Sequence, residues 1–146
     1  MALATGLYVG YLPKAPGTWG SLLALPIHFL LSRLAFKTHM WVLVCFFVAA
    51  VLIAGSAEKI LDRKDPGVVV IDEIMGMLIA LLLAPDDFRF WILGFVLFRL
   101  FDITKPFPIR WIDRRINGGI GIVMDDVLAG FFSLILLEAA GRLFFR

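Results

Sequence analysis

Long apolar segments make up most of this chain, and short polar stretches separate them. Five of these segments approach the roughly 20 helical residues needed to cross the hydrocarbon core of a bilayer. We therefore predict an all-α fold, a polytopic helical membrane protein with about five membrane-embedded helices in one domain, residues 1–146. The predicted spans are residues 19–36, 40–57, 69–84, 88–103 and 122–145.

Composition supports the membrane assignment and argues against nucleic-acid binding and against a disulfide-stabilised fold. Hydrophobic residues make up 61% of the chain, against roughly 45–50% in an ordinary globular domain. The net charge of +2 gives no overall attraction to nucleic acid, so we expect no nucleic-acid partner. The single cysteine, Cys45, excludes an internal disulfide, and its apolar neighbours predict a buried thiol.

Lysine and arginine residues between the spans predict the orientation. With the N-terminus inside, eight of them lie on the inner side and five on the outer side, a modest positive-inside bias. We therefore predict a cytoplasmic N-terminus. The inner set is Lys14, Lys59, Arg63, Lys64, Lys105, Arg110, Arg114 and Arg115, and the outer set is Arg33, Lys37, Arg89, Arg142 and Arg146.

Four polar blocks fall on one face of this arrangement. "KAPGTWGS" (14–21) precedes the first span, "KDPGVVVIDE" (64–73) enters the third, "FRLFDITKPFP" (98–108) leaves the fourth and "GGIGIVMDD" (118–126) enters the fifth. Randomly placed solvated loops would scatter acidic residues over both faces. The arrangement instead predicts one carboxylate cluster, made of Asp72, Glu73, Asp102, Asp125 and Asp126.

Such a cluster needs a positive partner, because like charges a few ångströms apart oppose each other's ionisation. Oxygen ligands without histidine or cysteine favour magnesium, manganese or calcium over zinc, and neither His28 nor His39 lies near these blocks. A simpler alternative is that Asp102 only pairs with Arg99 and Lys105.

Basic residues on the same face predict an anionic substrate. A charged residue as deep in a span as Arg99 is a functional candidate, and Thr18 is predicted as the N-cap of the first helix, where backbone amides can face an anion. The candidate phosphate-binding residues are Lys14, Thr18, Lys64, Arg99, Lys105 and Arg110.

Two further patterns predict local structure. "IRWIDRRI" (109–116) alternates apolar and basic residues at helical spacing, which is typical of an interfacial helix. Gly76 and Ala80, four residues apart, predict close packing of the third helix against a neighbour.

The blocks "PGTWGS", "DPGVVVIDEIMG", "FRLFDITKPFPI" and "GGIGIVMDDVLAG" resemble those of the phosphatidylglycerophosphatase A family, in the same order and over most of the chain. The resemblance implies a magnesium-dependent lipid phosphatase of the bacterial inner membrane, which hydrolyses phosphatidylglycerophosphate to phosphatidylglycerol and phosphate. The five cluster carboxylates are then candidate catalytic residues and metal ligands, with Glu73 as ligand or base. Manganese is an alternative metal, and the nucleophile is either a water or an aspartate.

Two rival functions remain open at this stage. A CDP-alcohol phosphotransferase-like phospholipid synthase also gathers aspartates and metal at a membrane face, but its D-G-x2-A-R…G-x3-D-x3-D pattern is missing here. A cation carrier would place its charges near the midplane and show paired repeats, whereas here the acidic residues lie at the ends of spans.

Substituting Lys14, Lys64 or Arg114 singly by cysteine, in a Cys45→Ala background, tests the topology. We expect all three thiols to react with a membrane-impermeant reagent from the cytoplasmic side only, because the blocks that carry them lie on one face. Labelling of the three positions from different sides would contradict the five-span arrangement.

Overall fold

The structure is a computed structural model that describes residues 1–144, and this part of the chain contains helices and turns but no strand. A 3-10 turn, Val9–Tyr11, precedes six α-helices. The all-α prediction is confirmed. The helices are α1 Pro16–Leu31, α2 Phe36–Leu61, α3 Ile71–Ala80, α4 Phe88–Thr104, α5 Ile109–Arg115 and α6 Gly118–Phe144.

The helix lengths differ from the five predicted spans. Within residues 1–144, two helices, α2 and α6, are long and apolar enough to cross a membrane, with mean hydropathies of 2.4 and 2.1. Helix α3 has only 10 residues, about 15 Å at a rise of 1.5 Å per residue. Residues 81–84, predicted as part of the third span, instead form turns before Pro85. The predicted end of the last span, residue 145, lies outside the described residues.

Helix α3 is the centre of the bundle. It packs against α1, α2, α4 and α6, and all its side chains are buried except that of Glu73, which is half-buried. A helix apolar on every side is expected in such a central position. The two acidic residues in its first turn, Asp72 and Glu73, are therefore carried into the interior by the packing of the whole helix.

Two glycines allow α3 and α6 to touch backbone to backbone. A Cβ atom added to Gly76 would lie 2.5 Å from the carbonyl oxygen of Asp126 and 2.6 Å from Cε2 of Phe98. A Cβ on Gly130 would lie 2.3 Å from the carbonyl oxygen of Gly76. The prediction of close packing at Gly76 is confirmed. This contact brings the start of α3 beside the third turn of α6.

Helix α5 forms where the amphipathic pattern predicts a helix. Its Ile109 is buried, whereas Trp111, Arg114 and Arg115 are exposed. The expectation for Cys45 is wrong: its thiol is exposed on the outer side of α2. An apolar neighbourhood in the sequence does not bury a side chain that the helix directs away from the rest of the bundle.

Replacing Gly76 by valine should destabilise the fold, because the new side chain would overlap the α6 backbone and Phe98. Overpacking of this kind costs about 1–3 kcal/mol, occasionally more. The midpoint of thermal unfolding in detergent measures the effect. Gly67→Val is the matched control, since a Cβ at Gly67 meets nothing within 4 Å. Equal midpoints for the two variants would contradict the close contact between α3 and α6.

Candidate metal centre

Three carboxylates meet where α3 and α6 cross. One oxygen each of Asp72, Glu73 and Asp126 lies within 4.8 Å of the others, and we call this group the carboxylate triad. Asp72 and Asp126 are buried, with 6% and 4% of their surfaces exposed. Oδ1 of Asp72 and Oε2 of Glu73 are buried without a hydrogen-bond partner. Unpartnered carboxylate oxygens at this depth are costly unless a cation binds them.

The first residues of the chain fix the start of α3. The amides of Val70 and Ile71 donate to the carbonyl oxygen of Ala4, at 2.9 and 3.2 Å. The N-terminal segment thereby uses two of the backbone donors that the first turn of a helix leaves unpaired. Sequence analysis gave no role to this segment, because neither its composition nor its hydropathy reports a backbone-to-backbone contact.

Helices α1 and α4 complete the site beside α3 and α6. A Cβ on Gly17 would lie 2.3 Å from Oε1 of Glu73 and 2.9 Å from Nη1 of Arg99, so a larger residue there would make these two side chains shift. Arg99 donates to Asp102 one turn later on α4, and Asp102 lies near Asp126 of α6. All four polar blocks therefore meet at one site.

Lys105 links the cluster to α5. Its Nζ donates to Oδ2 of Asp125 at 2.5 Å and to Oδ1 of Asp113 at 3.0 Å. Burial alone would lower the pKa of Lys105, but the hydrogen bonds and charges of Asp125 and Asp113 outweigh burial and raise the pKa above its usual value. Lys105 therefore carries its positive charge throughout the physiological range. Asp125 keeps one oxygen, Oδ1, buried and without a partner.

Sequence analysis missed Asp113 as a member of the site. The available signal was that Asp113 is the one acidic residue in the basic helix α5. With Asp113 included, six carboxylates lie beside two cations, Arg99 and Lys105. If all six are ionised, six negative charges against two positive ones leave an excess of four negative charges, which a further cation would reduce.

The other predicted phosphate-binding residues lie farther out. Lys14 and Lys64 are exposed on loops, and in residues 1–144 the ion pairs of the cluster involve Arg99 and Lys105 instead. Arg110 is exposed and donates to the carbonyl oxygen of Thr104 at 3.0 Å. The N-cap prediction for Thr18 is wrong: helix α1 begins at Pro16 after the cap residue Ala15. Proline, whose ring presets φ, suits the first helical position.

Both histidines lie away from the cluster, as their sequence positions indicate. His28 and His39 are buried, with ring centroids 6.5 Å apart, and His28 packs edge-on against Trp91 at 5.4 Å. Within the described residues, the grouping suited to a metal is the carboxylate triad. The donor atoms of the site are therefore oxygens.

The fold and site define a class: an all-α protein with candidate membrane-spanning helices and a buried all-carboxylate centre able to hold a metal ion. The family model described as Phosphatidylglycerophosphatase A matches residues 2–140. The chain belongs to the phosphatidylglycerophosphatase A family. No solved structure was found to match it.

Individual relatives agree with the family assignment. Phosphatidylglycerophosphatase A of Escherichia coli K12 is 39% identical over 141 residues, which cover 96% of this chain and 82% of the relative. The protein of the same name from Haemophilus influenzae Rd is 40% identical, covering 94% of this chain and 85% of the relative. A Bacteroides thetaiotaomicron protein, named provisionally as a phosphatidylinositol-3-phosphatase, is 41% identical, covering 94% and 91%. Family membership favours neither the synthase nor the carrier alternative.

Proposed function

We propose that the carboxylate triad is the catalytic centre at which phosphatidylglycerophosphate is hydrolysed to phosphatidylglycerol and inorganic phosphate. The reaction follows from the family: the chain is a phosphatidylglycerophosphatase, a phosphomonoesterase of phospholipid synthesis. The observation that carries the assignment of the site is the group of three buried carboxylates with unpartnered oxygens, Asp72, Glu73 and Asp126.

Magnesium is the metal we propose for this centre, with manganese as a substitute. The donor set is entirely carboxylate oxygen, and magnesium is usually held by one or two carboxylates with water and substrate phosphate completing its shell. Asp72, Glu73 and Asp126 would hold the ion, and Asp102 and Asp125 lie next to them as further ligands or catalytic groups. When bound, such an ion activates a water and offsets charge on the phosphoryl group.

Positive side chains of this chain would bind the phosphate. Lys105 both contacts Asp125 and lines a basic cavity of about 460 Å³. The other basic residues of the cavity are Arg110, Arg114 and Arg115. Lys105 thus lies between the carboxylates and the basic cavity in which an anionic headgroup would bind. Arg99, whose Nε has no partner, is the second candidate, and Lys14 and Lys64 would attract the headgroup from farther out.

Hydrolysis forms a bond from a water oxygen to phosphorus, breaks the bond from phosphorus to the glycerol oxygen, and returns a proton to that oxygen. Glu73 is our candidate to accept the proton of the water, since it is the least buried member of the triad and has a free Oε2. Gly17 leaves room for this carboxylate, because a Cβ there would displace it.

The proposed location is the bacterial cytoplasmic membrane, with the carboxylate centre on the cytoplasmic side. Helices α2 and α6 would cross the bilayer fully, and α1, α3 and α4 would be embedded beside them, since α3 is covered by its neighbours on every side. The basic exposed face of α5 would lie at the headgroups.

A second candidate substrate is phosphatidylinositol 3-phosphate, because the Bacteroides relative carries that name at a similar identity. Both substrates are phosphate monoesters on a diacyl lipid. The carboxylate centre would treat the two phosphates alike, and discrimination would depend on the headgroup.

Replacing Asp72, Asp102, Asp125 or Asp126 by asparagine should reduce phosphate release from phosphatidylglycerophosphate by about 100-fold or more, because even indirect partners of metal ligands contribute about 10–100-fold. Purified variants in mixed micelles are assayed with magnesium, with manganese and in excess EDTA. The wild type should be inactive in EDTA. Phosphatidylinositol 3-phosphate, run in parallel, identifies the preferred headgroup.

The controls are Asp86→Asn and Asp87→Asn, because both residues lie in the turn before α4 and outside the carboxylate cluster. Asp86 pairs with Arg33, and Asp87 pairs with Arg89. Both controls should stay active. Normal turnover in two or more of the four cluster variants would contradict the assignment, and full activity of metal-free wild type would contradict the metal.

A further inference from the structure

An apolar groove lies between α2, α3 and α6. It encloses about 290 Å³, and every side chain that lines it is apolar. Helix α2 contributes Val44 and Phe47, helix α3 contributes Met75 and Ile79, and helix α6 contributes residues that include Phe131. None of the carboxylate triad residues lines this groove.

The groove begins one helical turn from the carboxylate triad. Its α3 wall is formed by Met75 and Ile79, which follow Asp72 by three and seven residues, and Leu82 lines the groove from the turn after α3. Residues at this spacing lie on one face of a helix, so Asp72 and the groove share one stripe of α3. From Met75 to Ile79 the stripe runs about 6 Å along the helix axis, at a rise of 1.5 Å per residue.

The groove opens sideways, toward the surface that faces lipid. Its floor is buried, as the 3% and 5% exposure of Met75 and Ile79 shows, whereas its rims, Val44 and Phe131, are 48% and 45% exposed. A chain lying in the bilayer beside α2 and α6 can therefore enter from the side. The unbranched, flexible side chains of Met75 and two further methionines, Met40 and Met124, suit an adaptable fit.

We infer that this groove binds one acyl chain of the lipid substrate and so positions the phosphate against the carboxylate triad. The inference rests on the proposed function, because a phosphate monoester held at the triad on a diacyl lipid must place its chains beside the centre. The groove is apolar throughout, begins one helical turn from Asp72 and runs away from it along α3.

Shape is the basis of this binding. An acyl chain that moves from the bilayer into the groove exchanges one apolar medium for another, so little hydrophobic free energy is gained. Contacts with the groove walls instead restrict where the headgroup sits. Poor placement of reacting groups by about 1 Å can cost about 100-fold in rate, so a groove can control turnover without adding much affinity.

The test blocks the groove with Val44→Trp, whose indole would fill the space beside the rim. Val48→Trp is the matched control, because Val48 lies one turn farther along α2, does not line the groove and is 53% exposed against 48% for Val44. For both variants, kcat/KM is measured with long-chain phosphatidylglycerophosphate in mixed micelles and with its deacylated headgroup in solution. Thermal unfolding confirms that each variant is folded.

We expect Val44→Trp to lower kcat/KM for the long-chain substrate by about tenfold or more, through misplacement of the phosphate, and to leave any turnover of the deacylated headgroup unchanged. Val48→Trp should match the wild type on both. Equal long-chain activity of two folded variants would overturn the inference, as would a parallel loss on both substrates. Failure of the proposed function would be recognised separately, because the wild type itself would then release no phosphate.

Discussion

The structure depends on the burial of negative charge at the crossing of α3 and α6. Transferring a carboxylate from water to a protein interior costs several kcal/mol unless opposite charge compensates it. Asp72 and Asp126 are almost fully buried, and Arg99 and Lys105 supply only part of the compensation. A divalent cation at the triad would supply two more positive charges, so we regard folding and activity as sharing one requirement. The same cation would bind the substrate's phosphate.

Packing and chemistry are coupled through small residues. Gly76 and Gly130 allow the helix backbones to touch, which sets the distance between the carboxylates of α3 and those of α6. Gly17 leaves room for Glu73 and Arg99 at the start of α1. Larger residues at these positions would change the fold and the site together. Farther along α3 from the crossing, the helices leave the apolar groove between them. The close contact of α3 and α6 that forms the metal centre therefore also shapes the surface where the lipid would lie.

Sequence analysis predicted the helices and the convergence of the four polar blocks, because hydropathy marks apolar segments and the acidic residues occur where those segments begin or end. Hydropathy alone gave two wrong predictions. Residues 81–84 are apolar but do not continue the helix, and Cys45 has apolar neighbours in the sequence but is exposed. Asp113 and the Ala4 carbonyl reach the site through tertiary contacts between distant parts of the chain. Spacing alone does not report such contacts.

The most direct test of the central claim is the thermal unfolding midpoint of wild type and Asp126→Asn, each in excess magnesium and in EDTA. We predict that magnesium stabilises the wild type, by about 2.7 kcal/mol at a concentration 100 times its dissociation constant. In EDTA, Asp126→Asn should be at least as stable as the wild type, because one repelling charge is gone, and should respond little to magnesium. A wild type that unfolds at the same temperature with and without magnesium would contradict the claim that the buried carboxylates require a cation.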